Sequence, residues 1–197
     1  MDSSKRTEKS SRIRIVGGEW RSRLIEVPAR PGLRPTPDRV RETLFNWLGQ
    51  RLDGRACLDL YAGSGALGFE AASRGAARVV MVENDRAALV ALQRSRELLG
   101  AQNVSIEPGA ALDYLARAGE RFDVVFLDPP FRQNALSALL GKLPPRLGTG
   151  ARVYLEAALP VEVAGPWREL KRARAGQVSY QLLEWRSDDQ GRLSGNV

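Results

Sequence analysis

LDLYAGSGALGFEAASRG, residues 58–75, runs from an apolar strand-like stretch through a glycine-rich turn into a helix start. Gly63, Gly65 and Gly68 satisfy the pattern G-x-G-x-x-G, and Glu83 stands about 20 residues further on, the offset of a dinucleotide fingerprint. Beyond this loop, strand-length apolar runs at 56–61, 79–83, 104–106, 123–127 and 153–156 alternate with helical patterns at 67–73, 86–99, 110–116 and 135–143. Such alternation implies right-handed βαβ crossovers and a parallel sheet covered on both faces. Two β-like stretches, 167–173 and 177–185, are separated only by a short Ala175-Gly176 turn and predict a terminal antiparallel hairpin.

The N-terminal stretch RIRIVGGEWRSRLIEVP places strands at 13–16 and 24–27 around Gly17-Gly18, a hairpin too small to stand alone. Thr36 reads as an N-cap with Pro37 at the first helical position, and Val40, Leu44, Phe45 and Leu48 continue a helix over 37–48. The expected organisation is a disordered basic arm at 1–12, a hairpin and lead-in at 13–35, an α/β domain at 36–187 and a flexible tail at 188–197.

With 197 residues, 43% of them apolar, the chain suits one α/β domain with a small appendage. No run approaches the ~18 apolar residues of a membrane span. The opening MDSSKRTEKSSR is not followed by the apolar stretch of a signal peptide, which points to the cytoplasm. The single cysteine, Cys57, lies in an apolar run and reads as a buried small residue. The absence of histidine excludes Ser-His-Asp and Cys-His nucleophilic mechanisms and His-based metal sites, so no metal is expected. The formal charge of +7 is uneven: residues 1–55 carry 13 Lys/Arg against 7 Asp/Glu, the remainder 17 against 16. An arginine-rich N-terminus suits phosphate contacts, although a solvated charged tail has the same composition.

Asp59 distinguishes the readings of the glycine loop. A carboxylate just before the turn repels a pyrophosphate but attracts an ammonium group. The segment resembles the D-x-x-x-G-x-G motif of the class I S-adenosylmethionine-dependent methyltransferases. That resemblance implies S-adenosylmethionine as cofactor, bound by Asp59, Ala62, Gly63, Ser64 and Gly65 around its methionine part. Glu83, at the end of the next strand, would accept the ribose hydroxyls, with Asn84 and Asp85 at the adenosine edge. At Ala110 and Ala111 a helix begins where the resembled superfamily places adenine; main-chain groups there, or Asp113, would recognise it.

Asp128-Pro129-Pro130-Phe131 follows the fourth strand. Two prolines end a strand and fix a rigid turn at the carboxyl edge of the sheet. The tetrapeptide is similar to the [DNS]-P-P-[FYW] motif of methyltransferases acting on exocyclic amines of nucleobases. In that role Asp128 and the Pro129 carbonyl accept the amine hydrogens, and Phe131 stacks on an unpaired base. No covalent enzyme intermediate is required.

Together GGEWRSRL, RPTPDRVRETLFNWL, LDLYAGSGALGFEA and GQVSYQL resemble the RsmD family over about residues 13–185. Members are bacterial 16S ribosomal RNA guanine-N2 methyltransferases. The resemblance implies a Rossmann-like class I methyltransferase fold: a seven-stranded, mostly parallel sheet, an antiparallel C-terminal hairpin and a small N-terminal β-hairpin that helps hold RNA. The substrate would be 16S ribosomal RNA or a small-subunit assembly intermediate. Arg12, Arg14, Arg21 and Arg23 are the expected phosphate contacts. Arg34, Thr36, Arg39 and Arg41 would lie near the mouth of the site, and Trp20 would stack on RNA or pin the hairpin to the main domain. The alternatives are an adenine-N6 methyltransferase on DNA or RNA and, from GSGALG alone, an NAD-dependent oxidoreductase.

Overall fold

In the computed structural model, which describes residues 11–28, 36–129 and 133–186, an antiparallel ribbon comes first. β1 (Ser11–Arg14) pairs with β2 (Leu24–Val27), Arg14 opposite Leu24 and Ser11 opposite Val27. Ser11 and Arg12 thus belong to a strand and not to the expected arm, whose other residues lie outside those described, as does the expected tail. β1 also stops short of Val16. The Val16 N–H turns away to donate to the Glu70 carboxylate at 2.9 Å, which takes the chain off the ribbon.

α1 (Asp38–Leu48) buries Val40, Arg41, Leu44 and Phe45, and Gly49 ends it in the left-handed conformation. The expected Thr36 cap does not form: Pro37 precedes the first turn and no side chain caps it. Thr36 lies one residue outside the cap position, which Pro37 takes, and its side chain hydrogen-bonds Glu156 instead.

The remaining elements alternate as expected: β3 (Ala56–Asp59), α2 (Ala66–Ser73), β4 (Arg78–Glu83), α3 (Arg86–Leu99), β5 (Val104–Pro108), α4 (Ala111–Arg117), β6 (Phe122–Leu127), α5 (Gln133–Lys142), β7 (Leu147–Ala157), β8 (Trp167–Ala175) and β9 (Val178–Trp185). They form a 7-stranded sheet of order β5-β4-β3-β6-β7-β9-β8, parallel except that β9 runs against both of its neighbours. β7 begins at Leu147, earlier than the expected 153–156, and its added residues lie beyond a register shift against β6. β8 is an outer strand with exposed Arg168, Lys171, Arg172 and Arg174, and its register also shifts between Glu169 and Lys171.

Alternation along the strands sends Cys57, Met81, Phe126, Tyr154 and Leu182 to one face, packed with residues of α1, α2 and the ribbon. Leu58, Val80, Val125, Val153 and Leu183 face α4 and α5 on the other. α2 is buried along its whole length, so its polar residues need internal partners. The Glu70 carboxylate receives the Arg74 Nε at 2.9 Å and the Arg41 Nη1 at 3.2 Å as well as the Val16 N–H. Both Arg41 and Glu70 side chains are 0% exposed. The Ser73 hydroxyl donates to the Gly17 carbonyl at 2.6 Å and accepts the Trp20 N–H at 2.9 Å. A Cβ on Gly18 would lie 1.9 Å from the Ser73 carbonyl oxygen, so the ribbon docks by backbone approach that only glycine permits.

Replacing Glu70 by Ala strands two guanidinium groups, and the expected cost is ~3–5 kcal/mol in equilibrium denaturant unfolding. Replacing Asp53, whose pairing with Arg51 is exposed, should leave the midpoint unchanged.

Candidate active site

β3, β4, β6 and β7 end together at one edge of the sheet. The chain leaves β3 for β4 on one side while β6 lies on the other, the reversal beside which open α/β sheets hold ligands. Register then aligns the side chains. Asp59 pairs with Met81 and Phe126, and Phe126 with Tyr154. By alternation, Glu83, Asp59, Asp128 and Glu156 project from the same face, with Asp59 one step deeper than the others.

The glycine loop is built across this row. Gly63 and Gly65 both have positive φ, 52° and 79°, which lets the chain turn directly from β3 into α2. A side chain on Gly65 would meet Phe69 and Leu92 within 2.7 Å. The Gly63 N–H donates to the Glu83 carboxylate at 2.8 Å, and the Asn84 and Asp85 N–H groups donate to its other oxygen at 2.9 and 2.8 Å. Glu83 therefore clamps the loop to the end of β4, with about one of its roughly four acceptor sites left for a ligand. The Asp59 carboxylate accepts the Gly68 N–H at 3.1 Å and the Tyr61 N–H at 3.4 Å. Burial pushes its pKa up to about 7, partly offset by these two N–H donors, with the Glu83 charge adding to the rise. Ala62 and Ser64 are buried beneath the loop.

Farther along the edge, Asp85 caps α3 by accepting the Ala88 N–H at 2.9 Å. The Gly109 N–H donates to the Glu83 carbonyl at 2.9 Å, which brings Ala110, the N-cap of α4, and buried Ala111 beside the end of β4. On the other side, Asp128 is half-buried and Pro129 buried. Burial, then the charges of Glu156 and Asp59, hold Asp128 well above the usual carboxylate range. Pro130 and Phe131 lie outside the described residues, as does Arg34. Cys57 lies inside the sheet core with its thiol pushed up to about 12 by burial, consistent with an inert residue.

Glu156 and Tyr154 belong to this site although motif reading did not select them. The Tyr154 hydroxyl donates to the Glu156 carboxylate at 2.8 Å. Burial raises Glu156, while hydrogen bonds from Tyr154 and Thr36 partly offset the rise. The available signal was a strand ending Tyr-x-Glu immediately after the Asp-Pro-Pro strand, parallel to the Glu83 pattern.

The structure decides two N-terminal expectations. Trp20 is 7% exposed and packs in the core, so its ring pins the ribbon and is not available to stack on RNA. Arg41 is not at the mouth of the site but inside the protein. The Arg23 guanidinium donates to the Leu98 carbonyl and, at 3.4 Å, to that of Leu99, capping the C-terminus of α3. Arg14 pairs with Asp38 at 3.0 Å. Arg12, Arg14, Arg21, Arg23 and Arg39 are all exposed, so each keeps a face open to solvent.

A family described as Conserved hypothetical protein 95 matches residues 13–184. Ribosomal RNA small subunit methyltransferase D of Escherichia coli K12 is 44% identical over 181 residues, 89% of this chain and 91% of that protein. The chain belongs to the RsmD family. The protein of the same name from Haemophilus influenzae is 39% identical over 180 residues, covering 87% of this chain and 93% of the relative. The solved structure of a putative methyltransferase from Escherichia coli superposes with a TM-score of 0.83 at 42% identity, spanning 90% of this chain and 100% of the other. The fold is the class I methyltransferase fold that the sequence motifs implied.

The raised pKa of Asp59 carries a sign for stability. The folded state holds this proton more tightly than the unfolded chain, so the stabilisation is complete below the unfolded pKa of 3.8 and is lost as pH rises through about 7. Asp128 and Glu156 act in the same direction. Denaturant unfolding of the ligand-free protein between pH 4 and pH 7 should therefore show a steeper fall in stability for wild type than for Asp59→Asn.

Proposed function

We propose that this protein transfers a methyl group from S-adenosylmethionine to the exocyclic N2 amine of one guanine in the 16S RNA of the small ribosomal subunit or its assembly intermediate. The observation that carries this is the position of Asp128 and Pro129 at the end of β6, on the same sheet edge as the Asp59 loop and Glu83. Two family relatives are named as ribosomal RNA small subunit methyltransferase D, which supports an RNA substrate.

The residues present suit this cofactor. Buried Asp59 and Glu83 face the loop, and no lysine or arginine occurs between Cys57 and Ser73 to neutralise a pyrophosphate. A cofactor with ammonium and sulfonium charges and no phosphate complements that arrangement. When bound, it supplies an electrophilic methyl group. Asp59 would hold the ammonium end, Glu83 the ribose hydroxyls, and the α4 start at Ala110 and Ala111 the adenine edge.

The remaining work falls to the β6 turn. A conjugated exocyclic amine is a poor nucleophile because its lone pair is shared with the ring. Asp128 and the Pro129 carbonyl, accepting its two hydrogens, fix its orientation and return electron density to nitrogen. This is catalysis by positioning and preorganised polarity. Phe131 would stack on the extruded base. Exposed Arg12, Arg14, Arg21 and Arg23 on the ribbon and Arg39 on α1 would contact phosphates, whereas buried Arg41 would not.

Digestion of RNA methylated in vitro should yield N2-methylguanosine; N6-methyladenosine would replace the guanine assignment with an adenine one. Asp128→Ala should lower the single-turnover methylation rate ~100-fold or more, the usual scale for a lost preorganised polar group, with calorimetric cofactor affinity preserved. Combined Arg12→Ala and Arg21→Ala should make the dependence of RNA affinity on salt shallower, since fewer phosphates are neutralised. An unchanged slope would remove the ribbon from the RNA surface.

A further inference from the structure

Glu156 has no part in the roles assigned above, yet it occupies the next register step beside Asp128. The last paired residues of β6 and β7 are Leu127 and Leu155. Asp128 follows β6 directly and Glu156 is the next residue of β7, so the two stand at neighbouring strand ends. Their charges act on each other directly. Glu156 is anchored: Tyr154 donates to it at 2.8 Å from its own strand, and Thr36 hydrogen-bonds it from the lead-in to α1. Trp47 of α1 stacks on Tyr180 of β9 with ring centroids 5.3 Å apart, and Tyr180 lies against Tyr154, so the anchor is held from the neighbouring elements.

Asp128 differs. Among the described residues no side chain hydrogen-bonds or ion-pairs with it, and no lysine or arginine pairs with Glu156. The groups facing the pair are Tyr154 on β7, Thr36 before α1, Asp59 on β3 and, behind Tyr154, Tyr180 on β9. Among the described residues these are neutral or acidic, so none of them screens the Glu156 charge from Asp128.

We propose that Glu156 is a positioning residue for methyl transfer: anchored by Tyr154 and Thr36, it holds a negative charge beside Asp128 and makes Asp128 the group that takes the proton leaving the target amine. The inference rests on the exocyclic-amine reading. The amine enters with two hydrogens and leaves with one. The amine lone pair would form the new nitrogen–carbon bond as the methyl–sulfur bond of the donor breaks, its electron pair leaving with sulfur as a neutral thioether. The N–H bond then breaks, its pair stays on nitrogen, and the proton passes to the Asp128 carboxylate and then to water. The N–H proton becomes acidic as the methyl group arrives, and the strength of the base that takes it early in the transfer sets how far it assists. A carboxylate beside a second, fixed carboxylate is a stronger one, and the upward displacement of Asp128 agrees with that.

The test uses the full-length protein, Glu156→Gln and Glu156→Asp, with two readouts. The first is the titration of the Asp128 carboxyl carbon by NMR in the ligand-free protein, assigned with Asp128→Asn. The second is the single-turnover rate on RNA as a function of pH. Glu156→Gln should move the Asp128 midpoint and the acidic limb of the rate profile down by about 1 pH unit or more, and lower the plateau rate ~10-fold. Cofactor affinity by calorimetry should stay within about 2-fold of wild type. Glu156→Asp, which keeps a charge, should recover most of the shift. If Glu156→Gln lowers the melting temperature but leaves both the titration and the rate profile in place, Glu156 is structural and the proposal is overturned. A titration that moves while wild type modifies no exocyclic amine would refute the amine reading and retain the carboxylate pair; a titration that stays put while wild type forms N2-methylguanosine would do the reverse.

Discussion

The buried carboxylate of Glu70 is the contact on which the assembly of the molecule depends. It sits on α2, the helix that starts from the cofactor loop, and it gathers Arg41 of α1, Arg74 of its own helix and the backbone of the ribbon at Val16. Arg41 in turn donates to the Arg14 carbonyl at 2.8 Å and to Asp38 at 2.6 Å. Ions removed from water are costly unless almost every hydrogen bond is met, and here nearly every one is; only the Arg41 Nε lacks a partner in this cluster. The arrangement thereby fixes one relative placement of ribbon, α1 and α2. Arg74 reinforces it, with its guanidinium 4.7 Å from the Phe45 ring centroid.

Once α2 is held, the site follows from sheet register. A protein of net charge +7 concentrates carboxylates along the carboxyl edge of its parallel strands, at Glu83, Asp59, Asp128 and Glu156. That row separates the two kinds of partner by sign. A cationic methyl donor is drawn into the sheet edge, while exposed arginines outside it suit the phosphates of RNA. The glycine loop carries no charge of its own and contributes its backbone N–H groups to Asp59 and Glu83.

The fold was legible because alternation of strand and helix is periodic, and the order of the motifs along the chain restricts the topology. The cofactor loop and the Asp-Pro-Pro turn were legible because glycine and proline have few conformational roles. The arginines were not. Arg41 looks the same in sequence as Arg12 and Arg21, and only its burial against Glu70 separates it from the exposed ones. Thr36 read as a cap because its neighbours form one in most chains; a carboxylate 120 residues away in sequence claims its hydroxyl. Glu156 escaped notice for the same reason, since its meaning comes from pairing across β6 and β7 rather than from a local pattern.

The outer strand β8 has a consequence for how the protein behaves at high concentration. A sheet edge with unpaired backbone groups is a template for another strand, and chains that leave such edges flat and apolar aggregate. Here Arg168, Lys171, Arg172 and Arg174 crowd that edge, and the register shift beside Lys171 bends it. A second copy approaching edge to edge would bring the same positive charges into contact across a distorted ladder. The opposite edge, β5, is short and ends in Pro108, which offers no N–H to an added strand. Charged side chains and a shifted register at β8, where Arg168 and Arg172 pair with Glu184 and Glu169, and a terminal proline at β5 thus each disfavour an added strand.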